Sequence, residues 1–287
     1  MHGCLGQKFR ISFFVCMILV FSSVKAEVIE KKLANDLIAT AEFHQGDTGA
    51  PAILLLHGFL QTRESHTVAK LYSSLVDAGY TVLAPTLSLG LSHRKQSLAC
   101  EAIHSHSMQS DIAELDMWTK WLSKKASSEI ILLGHSAGSV MQLAYLGQYP
   151  TEHIERGIFV SLSYFGVAPA SHETKEDGDR ARNLIKQGKK GLDKYGLSYC
   201  KDYVTTASNY LSYYDWQPKK ILGTMKKIHK PVIVIIGSQD QRISGGWVSS
   251  MEKNNIRIYS VQGAGHFFDN EYEFELLDAV ESILTAN

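Results

Sequence analysis

Short apolar runs alternate along the chain with longer segments of helical periodicity. The apolar runs predict strands at 52–56, 80–84, 130–133, 157–162, 231–236 and 256–261. Between and after these runs, apolar residues recur at helical spacing and predict helices at 67–78, 108–125, 137–149 and 271–284. Strands that alternate with helices form βαβ units, so the pattern predicts an α/β fold with a mostly parallel central sheet and helices on both faces.

Two segments depart from this alternation. Residues 28–44 contain two shorter β patterns on either side of Asn35-Asp36, which predicts a hairpin. Residues 169–227 are polar, helical in pattern and rich in tyrosine. We expect this second segment to be a helical cap insertion over the carboxyl edge of the sheet, where ligands bind in open α/β sheets.

The aromatic residues of the predicted cap have two interpretations. They either pack the cap onto the core, which we favour for most of them, or line an acyl or aromatic pocket. The residues concerned are Tyr195, Tyr199, Tyr203, Tyr210, Tyr213, Tyr214 and Trp216.

The first 26 residues have the pattern of a secretory signal peptide. Lys8 and Arg10 precede an apolar run at 11–21, and Val24-Lys25-Ala26 resembles a signal-peptidase cleavage site. The run is shorter than the ~20 residues that span a bilayer, and an uncleaved anchor is the alternative. We therefore expect an exported protein, periplasmic or secreted, whose mature domain covers residues 27–287 and has no membrane span.

Composition and charge exclude several classes of function. The 287 residues carry 29 basic and 29 acidic side chains, so no basic surface for nucleic acid is expected. The chain has no glycine-rich phosphate loop or dinucleotide fingerprint, so no cofactor is expected. His93, His104 and His106 lack the spacing of a known set of metal ligands, so we expect no metal site.

Four cysteines are too few for a disulfide scaffold. Cys4 and Cys16 lie in the predicted signal peptide, which leaves Cys100 and Cys200 in the mature chain. These two can form a disulfide in an oxidising compartment. Two separate buried thiols are the alternative, because sequence spacing does not give the distance between them.

A serine motif lies at a predicted strand–helix junction. Gly134-His135-Ser136-Ala137-Gly138 matches G-x-S-x-G and joins the strand that ends at 133 to the helix that begins at 137. A serine at such a sharp turn projects its hydroxyl from the backbone, and the following helix directs free N–H groups towards negative charge. Ser136 is therefore predicted to be a nucleophile. A turn serine without chemistry is the alternative.

A serine nucleophile needs a base to remove its proton and a carboxylate to orient that base. Asp240 follows the predicted strand at 231–236, and His266 follows the one at 256–261. Because the carboxyl ends of parallel strands meet at one sheet edge, we expect Ser136, Asp240 and His266 to come together. The alternatives are a helix cap for Asp240 and a loop histidine packed on the core for His266.

The tetrahedral intermediate of acyl transfer needs backbone N–H donors for its oxyanion. Ala137 follows the nucleophile and is predicted to provide one donor. The loop His57-Gly58-Phe59-Leu60 should provide the other, with Phe59 preferred over Leu60 because Gly58 lets the chain turn inward. His57 competes as a general base, but it precedes the serine in the chain, so we expect it to be structural.

Together these motifs resemble the α/β-hydrolase superfamily over nearly all of the chain from Val28. The His-Gly loop, the nucleophile elbow, the strand-end aspartate and the Gly-Ala-Gly-His loop stand where that superfamily has them. Within it, the chain is similar to the branch of esterases, lysophospholipases and monoacylglycerol-lipase-like proteins with a helical cap. It departs from that branch at residues 85–92, which lack the aspartate and arginine of a D-x-R-G-x-G-x-S stretch.

The resemblance implies a serine hydrolase of the carboxylesterase or lipase type, acting on a small-molecule ester. Ser136 would attack the carbonyl, His266 would transfer the proton, and Asp240 would orient His266. The same triad also cleaves amides and peptides. Two alternatives belong to other classes: an acyltransferase that excludes water, and a non-catalytic homologue that binds a ligand or partner under its cap.

Overall fold

The computed structural model describes residues 26–126, 128–166, 174–243 and 245–286. The predicted signal peptide, apart from its last residue, lies outside the described residues, as do the first residues of the predicted cap. The strands are β1 (Glu27–Lys32), β2 (Ile38–His44), β3 (Ala52–Leu56), β4 (Thr81–Thr86), β5 (Ile130–His135), β6 (Ile154–Val160), β7 (Leu192–Leu197), β8 (Cys200–Thr206), β9 (Val232–Gly237) and β10 (Arg257–Val261). The helices are α1 (His66–Asp77), α2 (Met108–Lys125), α3 (Ala137–Leu146), α4 (Thr174–Lys186), α5 (Ala207–Tyr214), α6 (Pro218–Met225), α7 (Gly245–Glu252) and α8 (Tyr272–Thr285).

A central sheet of eight strands has the order β1-β2-β4-β3-β5-β6-β9-β10. The predicted hairpin forms its β1–β2 edge, and β2 is antiparallel to β4. From β4 to β10 the strands are parallel. The carboxyl ends of β3, β5, β6, β9 and β10 therefore lie along one edge of the sheet, as the alternation of strands and helices predicts.

Helices cover both faces of this sheet, because its middle strands are apolar on both sides. In β3, Leu54 and Leu56 pack into one core cluster with α2 and α3. Ile53 and Leu55 point the other way and pack with α1 and α8. The helix α2 begins at a capping box, in which the side chain of Ser107 accepts from the backbone N–H of Ser110.

The cap insertion lies between β6 and β9 and contains α4, β7, β8, α5 and α6. The sequence predicts only helices here, whereas β7 and β8 form an antiparallel hairpin of their own. Both strands contain residues with low strand propensity, such as Asp193 and Gly196 in β7 and Asp202 in β8, which hides their β character from sequence patterns. Tertiary contacts therefore decide the structure of the hairpin.

The hairpin joins the main domain through the loop between β4 and α2. Cys100 in that loop and Cys200 in β8 form a disulfide. His104 lies four residues after Cys100 in the same loop. Its backbone N–H donates to the carbonyl of Val204 over 2.8 Å, and its carbonyl accepts from the hydroxyl of Thr205 over 2.6 Å. Covalent and hydrogen-bonded contacts thus attach the cap next to the carboxyl edge of the sheet.

A buried polar network provides a second attachment of the cap. His106 Nδ1 lies 2.6 Å from the hydroxyl of Tyr213, and that hydroxyl donates to Asp111. Tyr203 reaches the other ring nitrogen of His106 over 3.3 Å. All four side chains are buried. They satisfy each other, which is the condition under which buried polar groups are tolerated.

Candidate active site

Three loops at the carboxyl edge of the sheet bring Ser136, Asp240 and His266 together. His266 Nε2 lies 2.9 Å from the hydroxyl oxygen of Ser136, and Nδ1 lies 2.7 Å from Oδ2 of Asp240. With the ring proton on Nδ1, which Asp240 accepts, Nε2 is free to accept the Ser136 proton. Asp240 and His266 are buried, and Ser136 is partly exposed. The arrangement can therefore activate a hydroxyl towards a substrate that approaches Ser136.

Ser136 lies in a sharp turn between β5 and α3. Its backbone has φ 56° and ψ −123°, a conformation that non-glycine residues rarely adopt. The two glycines of the motif make the turn sterically feasible. A Cβ on Gly134 would lie 2.7 Å from the backbone nitrogen of Ser139, and one on Gly138 would lie 2.5 Å from the carbonyl oxygen of His57. Both contacts are with backbone, so neither has room for a side chain.

The loops of the acid and the histidine are each held by further hydrogen bonds. The second carboxylate oxygen of Asp240 accepts from the backbone N–H of Arg242 over 2.9 Å. The carbonyl of His266 accepts from Nε2–H of His135 and from the hydroxyl of Ser161, both over 3.0 Å. These bonds fix the backbone from which the His266 ring extends.

Sequence reasoning missed the contribution of His135 and Ser161. His135 occupies the variable position of G-x-S-x-G, and Ser161 directly follows β6. Burial, and then the nearby His266, lower the pKa of His135 to about 3, so its ring stays neutral. No sequence signal links either residue to His266, because the contacts span more than a hundred residues.

The predicted oxyanion donors lie on either side of Ser136. Ala137 begins α3, so its N–H is among those that have no partner inside the helix. A Cβ on Gly58 would lie 3.5 Å from that of Ser136, which places the loop after β3 against the serine. Among the described residues, no acceptor takes up the N–H of Phe59 or of Ala137. Both amides are therefore available to a ligand.

His57 orients the peptide between Gly58 and Phe59. Its Nδ1–H donates to the carbonyl of Gly58 over 2.8 Å, and the N–H of Gln61 donates to the same oxygen over 3.2 Å. The N–H of a trans peptide points away from its carbonyl, so these two bonds turn the N–H of Phe59 in the opposite direction. Both ring nitrogens of His57 thus contact backbone, which agrees with the expected structural role, and one contact lies next to the predicted oxyanion donor Phe59.

The ring of His57 is itself held in one neutral form. Nε2 accepts from the backbone N–H of Leu87 over 3.1 Å, which places the proton on Nδ1. Burial, and then the charge of Arg94, lower the pKa of His57 to about 3. Arg94 also donates to the carbonyls of Gln61 and Leu87, each over 2.6 Å, and so connects the oxyanion loop to the loop after β4.

Aromatic side chains surround the oxyanion loop. Tyr199, in the turn between β7 and β8, donates to the carbonyl of Phe59 over 2.8 Å. The ring of Phe59 packs against the rings of Phe165, Tyr203 and Tyr213. The predicted packing role applies to most cap aromatics, since Tyr195, Tyr203, Tyr210, Tyr213 and Trp216 are buried. Tyr199 is 37% exposed.

Two further findings concern cofactors and membranes. The described residues include no group of three or more His, Cys, Asp or Glu side chains that could hold a metal ion. Within the described ranges, no helix combines the length and the apolar character needed to cross a membrane.

A family model described as the alpha/beta hydrolase family matches residues 53–278, from β3 into α8. The chain belongs to this family. No curated protein matches it by sequence. The fold and the positions of Ser136, Asp240 and His266 on strand ends agree with the resemblance drawn from the motifs.

Solved structures show the same alpha/beta hydrolase fold at low sequence identity. The chain is similar to DcsB, solved in complex with its substrate analogue, with a TM-score of 0.67 and 16% identity over 91% of this chain and 99% of that one. Est1E from Butyrivibrio proteoclasticus gives a TM-score of 0.63 and 15% identity over 90% of this chain and 97% of that one. The Pyrococcus furiosus esterase Pf2001 gives a TM-score of 0.61 and 17% identity over 91% of each chain.

Proposed function

We propose that the protein is a serine hydrolase that cleaves carboxylic esters through an acyl-enzyme on Ser136. The observation that carries the proposal is the continuous pair of hydrogen bonds from Ser136 to His266 and from His266 to Asp240. The strained turn at Ser136 and the free amides of Phe59 and Ala137 support it. One of the similar structures, Pf2001, is named an esterase, which agrees with an ester substrate.

In the proposed reaction, His266 Nε2 removes the hydroxyl proton while Ser136 attacks the ester carbonyl. The carbonyl oxygen becomes an oxyanion, which the N–H groups of Ala137 and Phe59 stabilise. Each such donor contributes about 3–4 kcal/mol in comparable sites. His266 then returns the proton to the departing alcohol oxygen, and the acyl group stays on Ser136.

Water completes the reaction by the same steps. His266 removes a proton from a water molecule, whose oxygen attacks the acyl carbonyl. Collapse of the second tetrahedral intermediate breaks the bond to Ser136, and the proton returns to the serine oxygen. Asp240 stays ionised throughout and stabilises the positively charged imidazole ring.

A p-nitrophenyl ester series of increasing acyl length tests this proposal in the mature protein. We expect Ser136→Ala to lower kcat by at least 1,000-fold (about 4 kcal/mol of barrier). Ser249→Ala is the matched control, because this serine is exposed on α7. The preferred acyl length would indicate the size of the pocket.

The other outcomes separate the rival functions. Equal activity of the parent and Ser136→Ala would show that another residue is the nucleophile. Turnover only when an alcohol is added would identify an acyltransferase. Absence of both turnover and labelling of Ser136 by a fluorophosphonate would leave a non-catalytic ligand-binding homologue.

We also propose that the protein acts after export, with residues 1–26 removed as a signal peptide. The sequence pattern of this segment supports the proposal. The Cys100–Cys200 disulfide is consistent with it, since disulfides persist in oxidising compartments. Mass spectrometry of the exported protein should find Glu27 at its N-terminus; a chain that begins at Met1 would contradict this.

A further inference from the structure

Arg242 carries a positive charge next to the candidate active site. It lies two residues after Asp240, and its backbone N–H binds the Asp240 carboxylate. Its side chain is partly buried. The loop that carries Asp240 therefore also fixes the backbone of Arg242 and, with it, the position from which the Arg242 side chain extends.

The guanidinium of Arg242 has no acidic partner among the described residues. Other partly buried arginines do have one: Arg63 pairs with Glu42 and Arg156 with Glu155. Burying a cation without a counter-ion is costly unless hydrogen-bond acceptors or a ligand compensate the charge. Backbone carbonyls do so for the buried Arg94, whereas no acceptor among the described residues takes up the guanidinium of Arg242.

Two aromatic rings hold the guanidinium in place. It lies 4.9 Å from the centre of the Phe267 ring and 5.8 Å from that of Tyr199. A guanidinium over an aromatic face is stabilised by the ring, and its N–H groups stay free at the edges. The rings thus restrict the position of the guanidinium but do not neutralise its charge.

Each of these rings also touches the catalytic machinery. The Phe267 ring lies 5.1 Å from the imidazole of His266, so one ring separates the guanidinium from the general base. Tyr199 donates to the carbonyl of Phe59 in the oxyanion loop. The guanidinium therefore lies between the His266 loop and the cap residue that touches the loop of Phe59.

We infer that Arg242 binds an anionic group of the substrate, and that the enzyme prefers esters that carry a carboxylate or phosphate close to the scissile carbonyl. A guanidinium offers paired N–H donors that match the two oxygens of such a group. The inference rests on the proposed function and specifies its substrate class.

Matched esters test this preference on either side of the scissile bond. On the acyl side, p-nitrophenyl hemiglutarate is compared with neutral p-nitrophenyl pentanoate. On the alcohol side, 4-acetoxybenzoate and 4-acetoxyphenyl phosphate are compared with neutral 4-acetoxybenzamide. The quantity compared is the ratio of kcat/KM for the anionic ester to that for its neutral partner.

We expect this ratio to fall at least 30-fold in Arg242→Gln for at least one of the three anionic–neutral pairs. Arg242→Lys should keep part of the preference, since it retains the charge but loses the paired donors. Arg257→Gln is the matched control. Arg257 also lies over a ring, that of Tyr259, but at the amino end of β10, away from the triad. This control should keep the parent ratio.

Two results would overturn the inference. In one, the parent hydrolyses esters without preferring any anionic member. In the other, Arg242→Gln lowers kcat/KM by the same factor for the anionic and the neutral ester of each pair. Arg242 would then only support the loop. A parent that hydrolyses no ester would instead contradict the proposed function.

Calorimetry then tests the inference without turnover. Ser136→Ala protein should bind the anionic ester of the pair with the largest preference more tightly than its neutral partner, and adding Arg242→Gln should abolish the difference. Equal binding of the two esters by the Ser136→Ala protein would overturn the inference as well.

Discussion

The environment of each histidine near the site determines its role. His266 contacts a carboxylate on one ring nitrogen and a hydroxyl on the other, and this pairing is what proton transfer requires. His57 and His135 instead contact backbone carbonyls of the site, and burial keeps both rings neutral by lowering their pKa values to about 3. In the proposed reaction, one residue type thus supplies a base and two positioning groups.

At this scale we predict that His57→Gln lowers kcat by roughly 10- to 100-fold with little change in KM. The variant loses the donor to the Gly58 carbonyl, so the N–H of Phe59 is no longer held towards the oxyanion, and such donors act mainly in the transition state. Steady-state kinetics with a p-nitrophenyl ester measures both parameters.

His57→Asn is the comparison variant, since its amide can place a donor near the former Nδ1 and should recover part of kcat. If both variants lost thermal stability but kept the parent kcat, His57 would be a packing residue without influence on the oxyanion site.

At the scale of elements, the catalytic turn depends on how closely α3 approaches the end of β3. A Cβ on Gly138 would lie 2.5 Å from the carbonyl oxygen of His57 and 2.7 Å from that of Leu56. The same contact positions the N–H of Ala137 and the loop of Phe59 relative to each other. The distance between the two elements therefore sets the relative positions of both predicted oxyanion donors.

We predict that Gly138→Ala destabilises the protein by about 2 kcal/mol and lowers kcat at least 10-fold, because α3 must move away from β3. Urea unfolding and ester hydrolysis measure the two effects. In α6, Gly223 has no atom within 4 Å of an added Cβ. Gly223→Ala should therefore raise the free energy of unfolding by about 0.5–1 kcal/mol and leave kcat unchanged. Similar effects of both substitutions would refute the packing argument.

At the scale of the whole molecule, three buried histidines make stability depend on pH. Burial is the main cause that lowers the pKa of His57 and His135 to about 3 and that of His104 to about 4, from the ordinary value of 6.5. Between these values and pH 6.5, the unfolded chain binds more protons than the folded one. The free energy of unfolding must therefore fall as the pH drops through this window, and it is fully recovered above pH 6.5.

We predict that the melting temperature falls by roughly 10 °C or more between pH 7 and pH 5. Thermal melts over this range measure the dependence. His104→Gln should make it shallower, whereas His153→Gln, at an exposed position, should keep the parent slope. A melting temperature that stayed constant down to pH 5 would contradict the prediction.

Sequence patterns alone predicted the sheet, the flanking helices and the positions of Ser136, Asp240 and His266. These predictions follow from local rules: apolar runs form strands, and parallel strands bring their carboxyl ends to one edge. Chain order then assigned a role to each of the three residues. The sequence left undecided whether Cys100 and Cys200 form a disulfide, because no local rule gives the distance between two cysteines that are far apart in the chain.

Only the tertiary structure decided the features that depend on contacts between distant segments. The cap hairpin forms where β8 meets the loop of His104, although its own residues favour strands weakly. The hydrogen bonds of His135 and Ser161 to the His266 carbonyl, and the position of Arg242 between Tyr199 and Phe267, have no counterpart in local sequence. The sequence thus determined the fold and the residues of the candidate triad, whereas packing determined how these residues are oriented and which charge lies beside them.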